Sequence, residues 1–127
     1  MVRNSNNNSS GSGSGVVTIL DPSQDPTSHY YVHPSEGPSS VSVTPQLAAK
    51  NYHFWARMMQ RALIAKNKYR FVDGTLPISA VNYPHYFAWE RCNNLVHSWI
   101  MNSISSLIGE SVVFMENAID VWLDLKE

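Results

Sequence analysis

Residues 51–74 read NYHFWARMMQRALIAKNKYRFVDG and contain the best-marked helix of the chain. From Tyr52 to Leu63, apolar residues recur close to the i, i+3, i+4, i+7 spacing of an amphipathic helix. Asn51 is predicted to cap this helix with its side chain, and Gly74 is predicted to end it. Lysines and arginines occupy the polar side. The stretch therefore predicts one apolar face that packs and one basic face.

Three further helical patterns follow, so the fold class is predicted to be mainly α, with about four helices. The longest of the three runs from about His85 to Asn102, with Pro84 in its first turn. Ser105 is predicted to cap a short helix, and Asn117 the last one. Met58 and Met59 are interpreted as core residues. The predicted structural core consists of Trp55, Leu63, Trp89, Cys92, Trp99 and Trp122.

The N-terminal part of the chain has a different composition. Residues 1–28 include RNSNNNSSGSGSG and are predicted to be a disordered, low-complexity tail. Residues 29–47 mix β-forming and turn residues, which predicts a short β-hairpin or an extended segment before the helices. The folded domain is therefore predicted to be residues 29–127. No helix stop precedes Glu127, which predicts a domain truncated at its C-terminus.

Charge is distributed unevenly along the chain. The net charge is −2 over residues 1–49, +5 over residues 50–84 and −4 over residues 85–127. The basic middle and the acidic end can attract each other, within one chain or between neighbours, or they are solvated helix faces of opposite sign. The basic residues that would contact RNA or a partner are Lys50, Arg57, Arg61, Lys66, Lys68 and Arg70.

No motif of a catalytic or metal site is found. The sequence lacks CxxC, HExxH, GxSxG and phosphate-loop patterns, and its five histidines do not pair with Cys92 in zinc-finger spacing. Cys92 lies on an apolar helix stripe, which favours a small buried side chain over a nucleophile. We therefore predict that the protein is not an enzyme, binds no metal or cofactor and has no small-molecule substrate.

The sequence also predicts the cellular compartment. No apolar run approaches the ~18 residues of a membrane span, and the N-terminus lacks the pattern of a signal peptide. One cysteine excludes an intramolecular disulfide. These observations predict an intracellular protein without membrane contact, in the cytoplasm or, alternatively, the nucleus.

Four sequence blocks, taken in order, carry a family resemblance. They are YYVHPSEGPSSVSVTPQL at 30–47, the stretch at 51–74, WERCNNLVHSWIMNS at 89–103 and VWLDLKE at 121–127. Together they resemble the N-terminal Gag region of plant copia-type retrotransposon polyproteins. The resemblance implies a helical, capsid-like bundle and a structural protein that self-associates into capsid-like particles around RNA.

The resemblance also leaves alternatives. The CCHC zinc knuckle that binds RNA in this family does not occur in the sequence. The protease, integrase and reverse transcriptase regions of the family do not occur in it either. One alternative is therefore an RNA-binding module that uses the basic helix at residues 50–70. The other is a domesticated host protein that binds a partner with the same helix.

Overall fold

A computed structural model describes residues 21–127. The predicted mainly α fold is confirmed, although the described residues include no strand and the hairpin alternative is not found. The predicted tail falls largely on residues 1–20, outside the described residues, so the boundary at residue 28 stays a prediction. The four helices are α1 (Tyr52–Ala65), α2 (Tyr86–Met101), α3 (Ser106–Val112) and α4 (Ala118–Leu125), and two short 3-10 helices lie at Pro22–Gln24 and Tyr69–Phe71.

Asn51 occupies the N-cap position of α1, but its side chain makes no bond to the helix. Its Oδ1 accepts from the Ala48 backbone N–H at 2.8 Å, and its Nδ2 donates to the Gln46 carbonyl oxygen at 2.9 Å. The predicted side-chain cap is therefore wrong. The Asn51 amide closes the preceding turn instead and fixes the direction in which the chain enters α1.

The end of α1 is also different from the prediction. Asn67 adopts a left-handed backbone conformation, with φ 58°. The Lys68 backbone N–H then donates to the Leu63 carbonyl oxygen at 2.8 Å, which is the long bond of a Schellman motif. Gly74, with φ 86°, lies beyond the next 3-10 helix and ends that turn rather than α1.

Asn67 gives a first testable prediction. Asn67→Ala should lower the free energy of unfolding by about 1 kcal/mol, because a Cβ is costly at positive φ and asparagine tolerates it better than alanine does. Asn67→Gly, the matched control, should be at least as stable as the natural protein. Urea unfolding measures both, and an alanine variant of unchanged stability would contradict the assignment.

The other helix starts follow the predicted positions with two corrections. α2 begins at Tyr86, so Pro84 precedes the helix instead of lying in its first turn. The Ser105 hydroxyl accepts from the Ile108 backbone N–H at 3.4 Å, as predicted for the cap of α3. Asn117 stands at the N-cap position of α4, but its side chain does not cap that helix.

Residues 29–47 run as an extended segment with turns across the helices. Val41 and Val43 are buried in the common core. Leu47 forms an isolated parallel bridge with Ile104, in which its N–H donates to the Ser103 carbonyl oxygen at 2.9 Å. The segment therefore covers the helices as an extended arm, which accounts for its β-forming residues without a sheet.

Trp55, Leu63, Trp89, Cys92 and Trp99 are all buried in one core, together with Met59. Trp122 is partly buried and lies at the edge of that core, with its ring centroid 5.9 Å from that of Trp55. Met58 is 41% exposed, so its interpretation as a core residue is wrong. Met58 follows Trp55 by three positions and lies beside it on α1, but at the edge of the buried arc, so its side chain stays partly in water.

Candidate interaction surface

The structure divides the six predicted basic contact residues into two groups. Lys68 is only 3% exposed, and its Nζ donates to the Tyr31 carbonyl oxygen at 2.6 Å. Burial lowers the pKa of this ammonium group. Lys68 therefore holds the extended segment against the end of α1 and is not available to RNA or a partner.

Lys66 is engaged in a similar way. Its Nζ lies 2.7 Å from Glu36 Oε2, forming the only salt bridge found among residues 21–127. The hydrogen bond from Lys66 lowers the pKa of the Glu36 carboxyl group. This pair ties the turn at residues 33–38 to the C-terminal end of α1, so Lys66 also has a structural role.

Arg70 contacts two neighbours. Its Nε donates to Thr75 Oγ1 at 3.3 Å, and its Nη1 lies 3.3 Å from His29 Nδ1. Since a guanidinium group has donors only, Nδ1 accepts and the ring proton is on Nε2. Arg70 is exposed but held by these contacts, whereas the exposed side chains of Lys50, Arg57 and Arg61 make no hydrogen bond within the described part of the chain.

The contact with Arg70 gives a pH prediction for His29. Burial lowers the pKa of His29, and the nearby positive charges of Arg70 and Lys68 lower it further. The unfolded chain therefore binds a proton more readily than the folded one, so stability is present above the ordinary pKa of about 6.5 and is lost as the pH falls through the folded pKa. We expect the urea midpoint to fall between pH about 7.5 and about 5.5.

The matched control is His29→Asn, which keeps an acceptor near the position of Nδ1 but cannot titrate. Its urea midpoint should change less over the same pH interval, which stays above the range in which carboxylates titrate. An equal pH dependence in the two proteins would show that the loss of stability does not come from His29.

Arg57 and Arg61 belong to a mixed apolar and basic surface on α1, which we call the α1 outer face. It also contains Phe54, Met58 and Ile64, which are 55%, 41% and 56% exposed. All five residues lie within one arc of the helix, opposite Trp55, Met59 and Leu63. The surface combines three large apolar side chains with two guanidinium groups that form no salt bridge among residues 21–127.

A surface of opposite sign lies on α4, and we call it the acidic α4 face. It contains Asp120, Leu123 and Asp124, all of them exposed, and Leu123 is 50% exposed. Helical spacing places these residues on one side, opposite the buried Ala118 and Val121. Its carboxylates form no salt bridge within the described part of the chain.

A cavity in the described part of the chain is lined by both a histidine and a serine. This cavity of about 770 Å³ lies between the start of α1, α3 and the end of α4, and its lining includes His53 and Ser111. The Ser111 hydroxyl donates to the Ile108 carbonyl oxygen at 2.7 Å, so it does not donate to His53. Residues 21–127 contain no cluster of side chains that could hold a metal ion.

Cys92 is fully buried beneath the extended segment, with its Sγ 3.5 Å from the Tyr30 carbonyl oxygen. Burial raises the pKa of the thiol, which disfavours the reactive thiolate. The position is that of a packed side chain. Within residues 21–127, no helix has both the length and the apolar character needed to cross a bilayer.

Sequence patterns did not single out Ser103, which joins three parts of the fold. Its hydroxyl accepts from the Val43 N–H at 2.8 Å and donates to the Trp99 carbonyl oxygen at 2.9 Å. Its own carbonyl oxygen accepts from Leu47 and, at 2.7 Å, from Trp55 Nε1. Ser103 is the last residue of the sequence block at 89–103, but a serine in a helical pattern gives no signal of such a role.

The same block bonds to the turn at residues 33–38. Trp99 Nε1 donates to the Gly37 carbonyl oxygen at 2.9 Å, and Asn102 Nδ2 donates to that of Pro38. Two sequence blocks of the family resemblance therefore contact each other directly. The turn is held on one side by α2 and on the other by the Lys66–Glu36 pair.

Comparison with known protein families finds a match that covers α1. Residues 33–78 match the family model described as the Gag polypeptide of LTR copia-type. The matched range contains the turn at residues 33–38, all of α1 and the following 3-10 helix. Neither curated proteins nor solved structures gave a significant match. Over residues 33–78 this match supports the resemblance to copia-type Gag that was read from the sequence.

Proposed function

We propose that this chain is a non-enzymatic structural protein that self-associates into capsid-like assemblies, as the Gag protein of a copia-type element. The match over residues 33–78 carries the proposal, because Gag polypeptides of this family are structural parts of a polyprotein. The predicted plant origin and cytoplasmic location belong to the same proposal.

The surface of the domain supports an assembling protein. Phe114 is 90% exposed, and Phe87 and Leu107 are each 78% exposed. A contact with another molecule that removes such side chains from water is favourable in free energy. They lie on different elements, so they could serve contacts with more than one neighbour.

Light scattering coupled to size-exclusion chromatography tests the proposal. The apparent mass should rise with protein concentration above that of a monomer, and electron microscopy of concentrated samples should show closed or extended assemblies. Phe114→Ser should shift the equilibrium towards monomer if the exposed apolar residues contribute. A chain that stays monomeric at every concentration, including the highest attainable, would contradict the proposal.

RNA binding is the second candidate function, supported by the exposed positions of Lys50, Arg57 and Arg61. Three free cations predict a modest salt dependence, with a slope of about −2 in log affinity against log salt for single-stranded RNA. The six cations of the sequence prediction would give about −4. Arg57→Glu/Arg61→Glu should abolish this binding, whereas unchanged affinity would exclude the α1 outer face as the RNA site.

A further inference from the structure

The spacing of charges on the α1 outer face matches that on the acidic α4 face. Arg57 and Arg61 are four residues apart, which separates them by about 6 Å along the helix. Asp120 and Asp124 have the same separation on α4. Two helices packed side by side can therefore align both arginines with both aspartates at once.

The apolar residues on these faces reinforce the match. Surface ion pairs alone contribute only about 0–1 kcal/mol each, so charge by itself would give a weak contact. Phe54 and Met58 flank the arginines on α1, while Leu123 lies between the two aspartates on α4. Contact between these faces would remove apolar surface from water, which supplies affinity, while the aligned charges select the orientation of the two helices.

Within the described part of one chain, the α1 outer face and the acidic α4 face form no salt bridge with each other. The salt bridge found in residues 21–127 joins Lys66 to Glu36 and involves neither face. Both faces remain exposed although Trp55 and Trp122 join the buried sides of α1 and α4. A second copy of the same chain presents to each face the surface with the complementary charge pattern.

We infer that the α1 outer face of one copy docks on the acidic α4 face of another copy. The inference rests on the proposed self-association and names the surfaces that produce it. Because the contact joins two different faces, each bound pair leaves one face of each kind free. Further copies can then add head to tail, so the contact generates a ring or an open array instead of a closed dimer.

Paired charge reversals test this interface. Arg57→Glu/Arg61→Glu gives a chain with two acidic faces, and Asp120→Arg/Asp124→Arg gives a chain with two basic faces. Each variant alone should self-associate at least about tenfold more weakly than the natural protein, measured by sedimentation velocity in ~0.05 M salt. An equimolar mixture should assemble again, because every contact in an alternating array is then attractive.

Controls separate the interface from folding and from general charge. Arg91→Glu changes an exposed arginine on α2 and should leave assembly unchanged. Asp124→Arg alone keeps Asp120 in the first turn of α4, where it favours the helix, and should still weaken assembly. Circular dichroism should be the same for all variants. Assembly of the natural protein should weaken in ~0.5 M salt.

The possible results distinguish the inference from the proposed function. If the variants assemble as well as the natural protein, or if their mixture stays monomeric, the interface is wrong while self-association stands. If the natural protein is monomeric throughout, both fail. If Arg57→Glu/Arg61→Glu loses RNA binding but assembles normally, the α1 outer face is an RNA surface and the inference is overturned.

Discussion

Trp55→Ala is expected to lower the free energy of unfolding by about 3–5 kcal/mol, the usual cost of truncating a large buried aromatic side chain. Trp55 is fully buried, and its indole Nε1 donates to the Ser103 carbonyl oxygen at 2.7 Å. Its ring lies beside that of Trp122, so truncation also removes support for α4. For a domain of this size, the loss is a large fraction of a typical total stability of about 5–15 kcal/mol.

Two controls keep this prediction measurable in urea unfolding. Trp55→Phe retains most of the ring and loses the indole hydrogen bond, so it should cost about 1–2 kcal/mol. The Ser103 carbonyl oxygen still accepts from the Leu47 N–H in this variant. Phe87→Ala removes an exposed aromatic side chain and should change stability by less than about 0.5 kcal/mol. If Trp55→Ala were as mild as Phe87→Ala, Trp55 would not lie in the core.

The helices could be predicted from the sequence because their signals are local. Apolar spacing located the start of α1 and both ends of α2 within one or two residues, and Ser105 was recognised as a cap from residue type and position alone. The family resemblance gave the assembly hypothesis. The α1 outer face was only partly foreseen, because Met58 lies near the edge of the apolar arc and pattern alone did not decide its side.

The basic residues show where local reasoning fails. Counting Lys66, Lys68 and Arg70 as one face assumed that the helix continued to Gly74. The left-handed turn at Asn67 changes the direction of the chain and rotates Lys68 into the protein. No spacing rule reveals that turn, and the partners that hold the lysines, Tyr31 and Glu36, lie more than 25 residues away in sequence.

Asn93 is another residue whose role depends on distant partners. It is a buried polar residue on α2, and its Oδ1 accepts from the Ala118 backbone N–H at 2.8 Å. Its Nδ2 donates to the Glu116 carbonyl oxygen at 3.0 Å. One side chain therefore accepts from the first N–H of α4, the capping role that was predicted for Asn117. It also donates to a carbonyl oxygen of the loop before the helix. This bond pair fixes the position of α4, and with it the acidic α4 face.

Asn93→Ala should lower the free energy of unfolding by about 2–4 kcal/mol, because it removes the cap of α4 and leaves the buried Ala118 N–H and the half-buried Glu116 carbonyl oxygen without this partner. Asn94→Ala, on the exposed side of the same helix, should change stability by less than about 0.5 kcal/mol. Hydrogen exchange in α4 should accelerate more than in α1 if Asn93 acts locally. Since the proposed interface needs α4 in place, Asn93→Ala should also weaken assembly, although Asn93 lies outside the interface. Unchanged exchange in α4 would show that its packing against α2 positions the helix without this amide.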